Sequence, residues 1–382
     1  MLEILSGTNL ITIASGNSSS SGLLVFDGTL VVGGGYTRTT GGGYARTMNG
    51  SLIITNGVLD LSTTSELLNA FYGTCKTTVN DNGVLNLNIL RIAQNREEGR
   101  PQPGENYINV NTGGTIRLAR FHVDSDTYSH GGVNFNGGTL IAKYSTSNFM
   151  LVTHTNYADI FFTVCEGGAV IDSNGFDIGG RQELYSGAAS DGGLTKKGAG
   201  TFTLYHTNTY NGVTSVEGGT LVLDVDNTLL SENTALVSSN AVLDVNDRTQ
   251  TLAKIGGGGT VTNNSGLTVT GTVAPGDTGS CGTLTLTESC PLSGTLAVDV
   301  NADGSGDRLH VQGDLDLSSL ALNVADTDLL AKYKRYTVAS CTGTLSGCFT
   351  SDNLPSIWIV RYIPANKEVQ LLYNAGTMIL AK

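Results

Sequence analysis

One short phrase recurs along the chain: a Gly or Asn-Gly turn, a small residue, then a brief alternating apolar burst. It reads Gly28-Thr-Leu-Val-Val32, Gly50-Ser-Leu-Ile-Ile54, Gly57-Val-Leu-Asp-Leu61 and Gly83-Val-Leu-Asn-Leu87. It continues as Gly114-Thr-Ile-Arg-Leu118, Gly138-Thr-Leu-Ile-Ala142, Gly168-Ala-Val-Ile171 and Gly219-Thr-Leu-Val-Leu223, and recurs up to Gly294-Thr-Leu-Ala-Val298. Most successive copies stand about 19 to 31 residues apart, the spacing of a solenoid. Each burst has period two, so each is a strand. A β-sandwich would show hairpin turns every 8–12 residues or so. Stacked parallel coils account for the longer interval, with Leu, Val and Ile turned inward and Asn and Thr bonding neighbouring coils at the bends. Parallel crossovers are overwhelmingly right-handed, so the expected architecture is an all-β, right-handed parallel β-helix. About 13 coils would give a rod on the order of 60 Å long.

Two segments depart from the strand pattern. Thr64–Ala70 and Asp326–Tyr333 carry N-cap and acidic first-turn residues and predict one or two helical turns at corners. From about residue 335 the bursts lengthen: Ser356–Ile363 and Glu368–Tyr373 flank Pro364-Ala-Asn-Lys367 and contain the only tryptophan, Trp358. They predict an antiparallel hairpin capping the solenoid end, with domains at 1–334 (β-helix) and 335–382 (cap).

Composition narrows the function. Of 382 residues 51 are Gly, 6 are Pro and 14% are charged, which excludes collagen and a charge-solvated disordered chain. The net charge of −12 argues against nucleic-acid partners. No apolar run reaches the roughly 18 residues of a membrane span, and Met1–Gly7 has neither the basic nor the apolar region of a signal peptide. Taken literally, that start describes a cytosolic chain; the alternative is a trimmed or mature piece of a secreted one. Four of the six cysteines form two close pairs, Cys281/Cys290 and Cys341/Cys348, suited either to local disulfides or to free thiols packed as small hydrophobes.

Asp191-Gly-Gly-Leu-Thr-Lys-Lys-Gly-Ala-Gly-Thr-Phe-Thr-Leu204, followed by Thr209-Tyr-Asn-Gly-Val-Thr-Ser-Val-Glu-Gly-Gly-Thr-Leu-Val-Leu223, resembles the autotransporter-associated β-strand repeat. The order and spacing of Gly271-Thr-Val-Ala-Pro-Gly-Asp277, Gly282–Leu286, Asp307–Val311, Tyr336–Val338 and Gly347-Cys-Phe349 are similar to the C-terminal end of autotransporter passengers. The resemblance covers residues 191–350. It implies a secreted or surface-displayed β-helical passenger, adhesin-like or structural, and implies no reaction. The outer-membrane β-barrel that the family carries after its passengers does not follow before Lys382.

Candidate sites are few. The duplicated phrase Gly33-Gly-Gly-Tyr-Thr-Arg-Thr39 and Gly41-Gly-Gly-Tyr-Ala-Arg-Thr47 places Tyr36, Arg38, Tyr44 and Arg46 on a Gly-rich excursion. Aromatic rings stack on sugars and Arg forks bind carboxylates, so these are candidate ligand contacts; the alternative is an irregular coil covering the N-terminal core. Arg96 and Arg100 lie in the densest charge cluster, a Pro-containing loop that is either a partner contact or a solvated bulge. Asp299-Val-Asn-Ala-Asp-Gly-Ser-Gly-Asp307 has the opening of a calcium loop but His310 where the bidentate Glu belongs, and reads as a turn. Asp124, Asp126, Tyr128 and His130 are the one mixed acid–base cluster, better explained as a surface turn. No zinc spacing and no Gly-x-Ser-x-Gly elbow occur, and no cofactor is called for.

The expected protein is therefore a non-enzymatic extracellular or cell-surface scaffold, bacterial on the resemblance. Its partners would be a glycan, a host or cell-surface protein, or its own copies end to end, with no membrane insertion by this chain. The alternatives are a polysaccharide lyase or glycoside hydrolase on the same scaffold, and a self-associating fibre subunit.

Overall fold

The computed structural model describes residues 2–4, 8–12, 21–26, 29–32, 35–40, 44–48, 51–62, 66–69, 75–92, 106–122, 130–151 and 159–374. Their regular elements are almost entirely β-strands stacked in parallel, coil upon coil: a parallel β-helix. Two compact units, Met1–Val213 and Thr214–Lys382, are distinguished by their internal contacts.

In the first unit each complete coil supplies three strands, one to each side. One side runs from Leu2–Ile4 through Ser51–Thr55, Asn106–Asn111 and Asp159–Val164 to Leu184–Ser186. A second runs from Thr8–Thr12 through Gly57–Asp60 and Thr139–Ala142 to Leu194–Lys197. The register makes the inward columns explicit. Leu30 pairs with Leu52, Leu52 with Thr77, Thr77 with Ile108, Ile108 with Val133, Val133 with Phe162 and Phe162 with Leu184. All are buried. Each fully buried large aliphatic residue contributes roughly 1.5–3 kcal/mol, so a column holds its coils together more strongly than any single polar contact.

Polar side chains at the bends bind the next coil, as the sequence predicts. Asn86 Nδ2 donates to Asp60 Oδ1 at 3.0 Å, Asn246 Nδ2 to Asp224 Oδ1 at 2.7 Å, and Asn263 Nδ2 to Asp244 Oδ1 at 2.9 Å.

The second unit has two main sides, one from Thr214–Val216 to Leu320–Val324 and one from Thr220–Leu223 to the C-terminal strands. Coils are between 17 residues (Gln250 against Leu267) and 26 residues (Leu296 against Leu322) deep on the first side. Gly257 needs its glycine: φ is +101°, and a Cβ would stand 2.0 Å from the Val237 carbonyl oxygen.

The C-terminal cap forms as expected. Trp358–Ile363 and Glu368–Tyr373 pair antiparallel, and Glu368–Tyr373 pairs antiparallel with Arg335–Cys341. Arg335–Cys341 pairs parallel with Arg308–Val311 on its other edge, so the strand that opens the cap is also the last rung of the ladder. Trp358 is buried against Tyr336 and Tyr373, with ring centroids 5.9 and 5.8 Å away.

One of the two helical expectations holds in reduced form: Asp326 caps a single 3₁₀ turn, Thr327–Leu329, by accepting from the Asp328 amide. The other is corrected. Glu66–Asn69 is a strand between Tyr44–Met48 and Ile89–Ile92, with Leu67 buried and Glu66 bonded to Arg91 at 2.6 Å. Packing in the coil outweighs the local helical preference of Glu-Leu-Leu. Among the described residues no helix is long and apolar enough to cross a membrane.

Candidate functional site

A groove of about 530 Å³ lies on the outside of the second unit. Its floor comes from strand alternation. Ser215, Leu236 and Ala274 take outward positions on successive strands, Ser215 against Leu236, and Gly256 between Leu236 and Ala274. Small residues in an outward column leave a depression. Its wall is acidic, with Glu217, Asp277, Asp299 and Asp307, and carries one lysine, Lys254.

Two wall carboxylates titrate in opposite directions. Burial tends to raise Asp277, but the Ser239 hydroxyl and the Gly258 and Ser239 amides hold it below its ordinary value. Burial pushes Asp307 up, the Asp299 and Gly282 amides offset part of this, and the charges of Asp299 and Asp277 add to it. Carboxylates pushed apart in this way suit acid–base catalysis, but here the geometry opposes it. Asp307 is 3% exposed, with Oδ1 accepting from the Gly282 amide at 2.8 Å and Oδ2 from the Asp299 amide at 2.9 Å. It cannot reach a substrate without opening the corner it holds. Of the wall carboxylates, Asp277 and Asp307 fasten coils.

The Asp299–Asp307 segment is a turn closed on itself. Asp303 accepts from the Ser305 amide at 2.8 Å and hydroxyl at 2.7 Å, and the Asn301 amide donates to the Ser305 carbonyl. Among the described residues no group of three or more His, Cys, Asp or Glu side chains could hold a metal. All six cysteines stand as free thiols in the structure, including Cys281/Cys290 and Cys341/Cys348; Cys75 and Cys341 are buried and Cys348 is exposed. Burial pushes the Cys290 thiol up to about 11, against a hydrogen bond from Asn264.

The duplicated Tyr-Arg phrase is built into the ladder. Tyr36 and Arg38 lie on the strand Gly35–Thr40, and Tyr44 and Arg46 on Tyr44–Met48, which belongs to a different sheet. Tyr36 registers with Thr8 and Val58, Arg38 with Leu10 and Asp60, Tyr44 with Ser21 and Glu66, and Arg46 with Leu24 and Leu68. The four Tyr and Arg positions thus lie on strands, and Gly33, Gly34 and Gly41–Gly43 lie outside the described residues. Arg96, Arg100, Asp124, Asp126 and Tyr128 lie outside the described residues; His130 opens the strand His130–Asn136.

Sequence reasoning passed over Lys196. It occupies an aliphatic column, in register with Ile171 above Leu140, Ile116, Leu85 and Leu59, and is fully buried. Its Nζ reaches the corner and donates to the Lys197 carbonyl at 2.9 Å and the Gly198 carbonyl at 2.8 Å. Burial lowers its pKa to about 8, against the attraction of Asp172.

This buried lysine sits in the Leu-Thr-Lys-Lys-Gly-Ala-Gly stretch, and residues 194–223 match the family model of the passenger-associated-transport-repeat. The chain carries a passenger-associated-transport-repeat. The repeat supplies Leu194–Lys197 and Thr201–Leu204 to the first unit, and Thr214–Val216 and Thr220–Leu223 to the second. Its Gly-x-Gly corner has a steric cause: Gly198 and Gly200 have φ of +74° and +86°, where a side chain would strain the backbone. A comparison with curated proteins returns no match to the chain.

Proposed function

We propose that the chain is the non-enzymatic scaffold of a secreted or cell-surface protein, a passenger-like solenoid that presents loops or an end to a glycan or a surface protein. The observation that carries this reading is the passenger-associated-transport-repeat within a parallel β-helix. The hydrogen bonds on Asp277 and Asp307 support it, because these two carboxylates of the groove are already committed to holding corners. Tyr36, Arg38, Tyr44, Arg46, Arg96 and Arg100 are the proposed contact positions in the N-terminal part.

The test is binding of the purified chain to intact cell surfaces and to a glycan panel, with Arg38, Arg46, Arg96 and Arg100 each changed to Ala. Saturable binding weakened by these changes supports the reading; absence of binding to any surface or glycan overturns it.

A polysaccharide-active enzyme is the second reading, favoured by the opposed titration of Asp277 and Asp307 in the groove wall. Turnover of acidic or neutral polysaccharides that is abolished by Asp277→Asn or Asp307→Asn, in a variant that still folds, would establish it over the first.

A further inference from the structure

On one outer side of the first unit five strands stack in parallel: Lys76–Asn80, Asn106–Asn111, His130–Asn136, Asp159–Val164 and Leu184–Ser186. Thr77, Ile108, Val133, Phe162 and Leu184 of these strands are buried, so the residues between them face outward. They form two adjacent columns. Lys76, Tyr107, Gly132 and Phe161 make the first, and Thr78, Asn109, Asn134, Thr163 and Tyr185 the second.

The two columns differ in chemistry. The first is aromatic. Phe161 is 43% exposed and meets Tyr185 edge-on, with ring centroids 5.2 Å apart at 79°. Tyr107 stands two coils away, about 10 Å along the stack. Between them only glycine fits, since a Cβ on Gly132 would lie 1.9 Å from the Phe161 carbonyl oxygen. The second column is an amide ladder. Asn134 Nδ2 donates to Asn109 Oδ1 at 2.9 Å, and Asn109 Nδ2 donates to Thr78 Oγ1 at 3.3 Å. This leaves Asn134 with its second amide hydrogen and, among the described residues, an Oδ1 that accepts no hydrogen bond.

We propose that this face is a binding site for a neutral oligosaccharide. A pyranose offers an apolar C–H face, which stacks on an aromatic ring, and vicinal hydroxyls, which pair with a group that both donates and accepts. The two columns offer these features side by side. The charge distribution selects against acidic sugars: the columns carry a single charged residue, Lys76 at one end, Glu183 lies beside Tyr185 at the other, and the chain carries −12 overall. Four coil spacings make the face about 19 Å long, room for a short oligosaccharide lying across the strands. The inference rests on the reading of the chain as a surface scaffold, and names a ligand class and a place for it.

The experiment is calorimetric titration of the full chain with neutral hexose and pentose oligosaccharides, about four to six units long to span the face. Polygalacturonate oligomers serve as the acidic comparison. The expected result is binding to a neutral class, weakened roughly ten-fold or more by Phe161→Ala, Tyr107→Ala and Asn134→Ala through loss of a stacking ring or an amide. Tyr144→Ala, which alters an exposed tyrosine outside the two columns, should leave affinity unchanged, and circular dichroism should show all variants folded. Absence of neutral-sugar binding, preference for the acidic oligomer, or equal affinity in folded Phe161→Ala and Asn134→Ala would each overturn the proposal. If the chain binds cells or proteins but no oligosaccharide, this assignment falls while the scaffold reading stands.

Discussion

Asp277 clamps a residue 38 positions earlier in the chain: its Oδ2 accepts from the Ser239 hydroxyl at 2.7 Å and the Ser239 amide at 3.1 Å. Its Oδ1 accepts from the Gly258 amide at 3.1 Å, so one carboxylate ties its own coil to two preceding ones. None of the three bonds belongs to a strand ladder. Together they fix the corners against slippage, where the ladder alone would leave amides unpaired.

Asp277→Ala should therefore destabilise the second unit by about 2 kcal/mol, the scale of lost hydrogen bonds to a charged acceptor. Urea denaturation measures it. The pH dependence has a defined sign. The folded state holds this carboxyl below its ordinary value of 3.8, so its contribution is complete above that value and is lost as pH falls through the folded pKa. The variant should show a shallower acid limb; an unchanged limb would mean that the clamp carries no charge-dependent stability.

Lys196 gives the opposite end of the pH scale. Its folded pKa of about 8 lies below the ordinary 10.5. Between these values the unfolded chain holds a proton that the folded chain has released, so this group makes stability rise with pH across that window. Melting temperature followed from pH 8 to 10.5 should contain that upward contribution, and Lys196→Met should remove it. Lys196→Ala is expected to cost about 2–4 kcal/mol, because it leaves a core void and removes the Nζ hydrogen bonds to the Lys197 and Gly198 carbonyls. A variant with the same pH slope as the parent would place the lysine charge elsewhere.

The recurring Gly phrase marks strands faithfully, yet not the coil. Gly50-Ser-Leu-Ile-Ile54 and Gly57-Val-Leu-Asp-Leu61 are neighbours in sequence but lie on two sides of one coil, in Ser51–Thr55 and Gly57–Asp60. The alternation was legible because inward and outward positions differ in hydrophobicity. Coil depth was not, because it depends on how many residues the corners absorb. The functional faces were harder still. Tyr107, Phe161 and Tyr185 become neighbours only through the register of coils, and Ser215, Leu236 and Ala274 share nothing but an outward direction. Lys196 was visible in the repeat, but its burial follows from the position of Ile171 one coil away.

The thiols offer a direct chemical check. With all six cysteines free, denatured, unreduced protein should titrate six thiols, and a disulfide at Cys281/Cys290 or Cys341/Cys348 would lower that number to four. Under native conditions Cys348, which is exposed, should be alkylated first, and the fully buried Cys75 should be protected until unfolding. Cys290 should lag as well, since burial holds its thiol at about 11 and little thiolate is present at neutral pH. Peptide mapping after timed alkylation resolves the order.

The cap can be tested through the chain's only tryptophan. Trp358 packs against Tyr336, whose hydroxyl accepts from the Ala331 amide at 2.9 Å and donates to the Asn301 carbonyl at 3.0 Å. That hydroxyl ties the segment after the 3₁₀ turn to the loop beside Asp303, and the ring beneath it supports the hairpin. Tyr336→Phe keeps the ring and removes the tie, so about 1–2 kcal/mol should be lost. Because the strand Arg335–Cys341 is shared by ladder and hairpin, the loss should lower the midpoint of the Trp358 fluorescence transition together with the far-ultraviolet signal of the second unit. If fluorescence shifts alone, the hairpin opens as an independent element and does not seal the end of the solenoid.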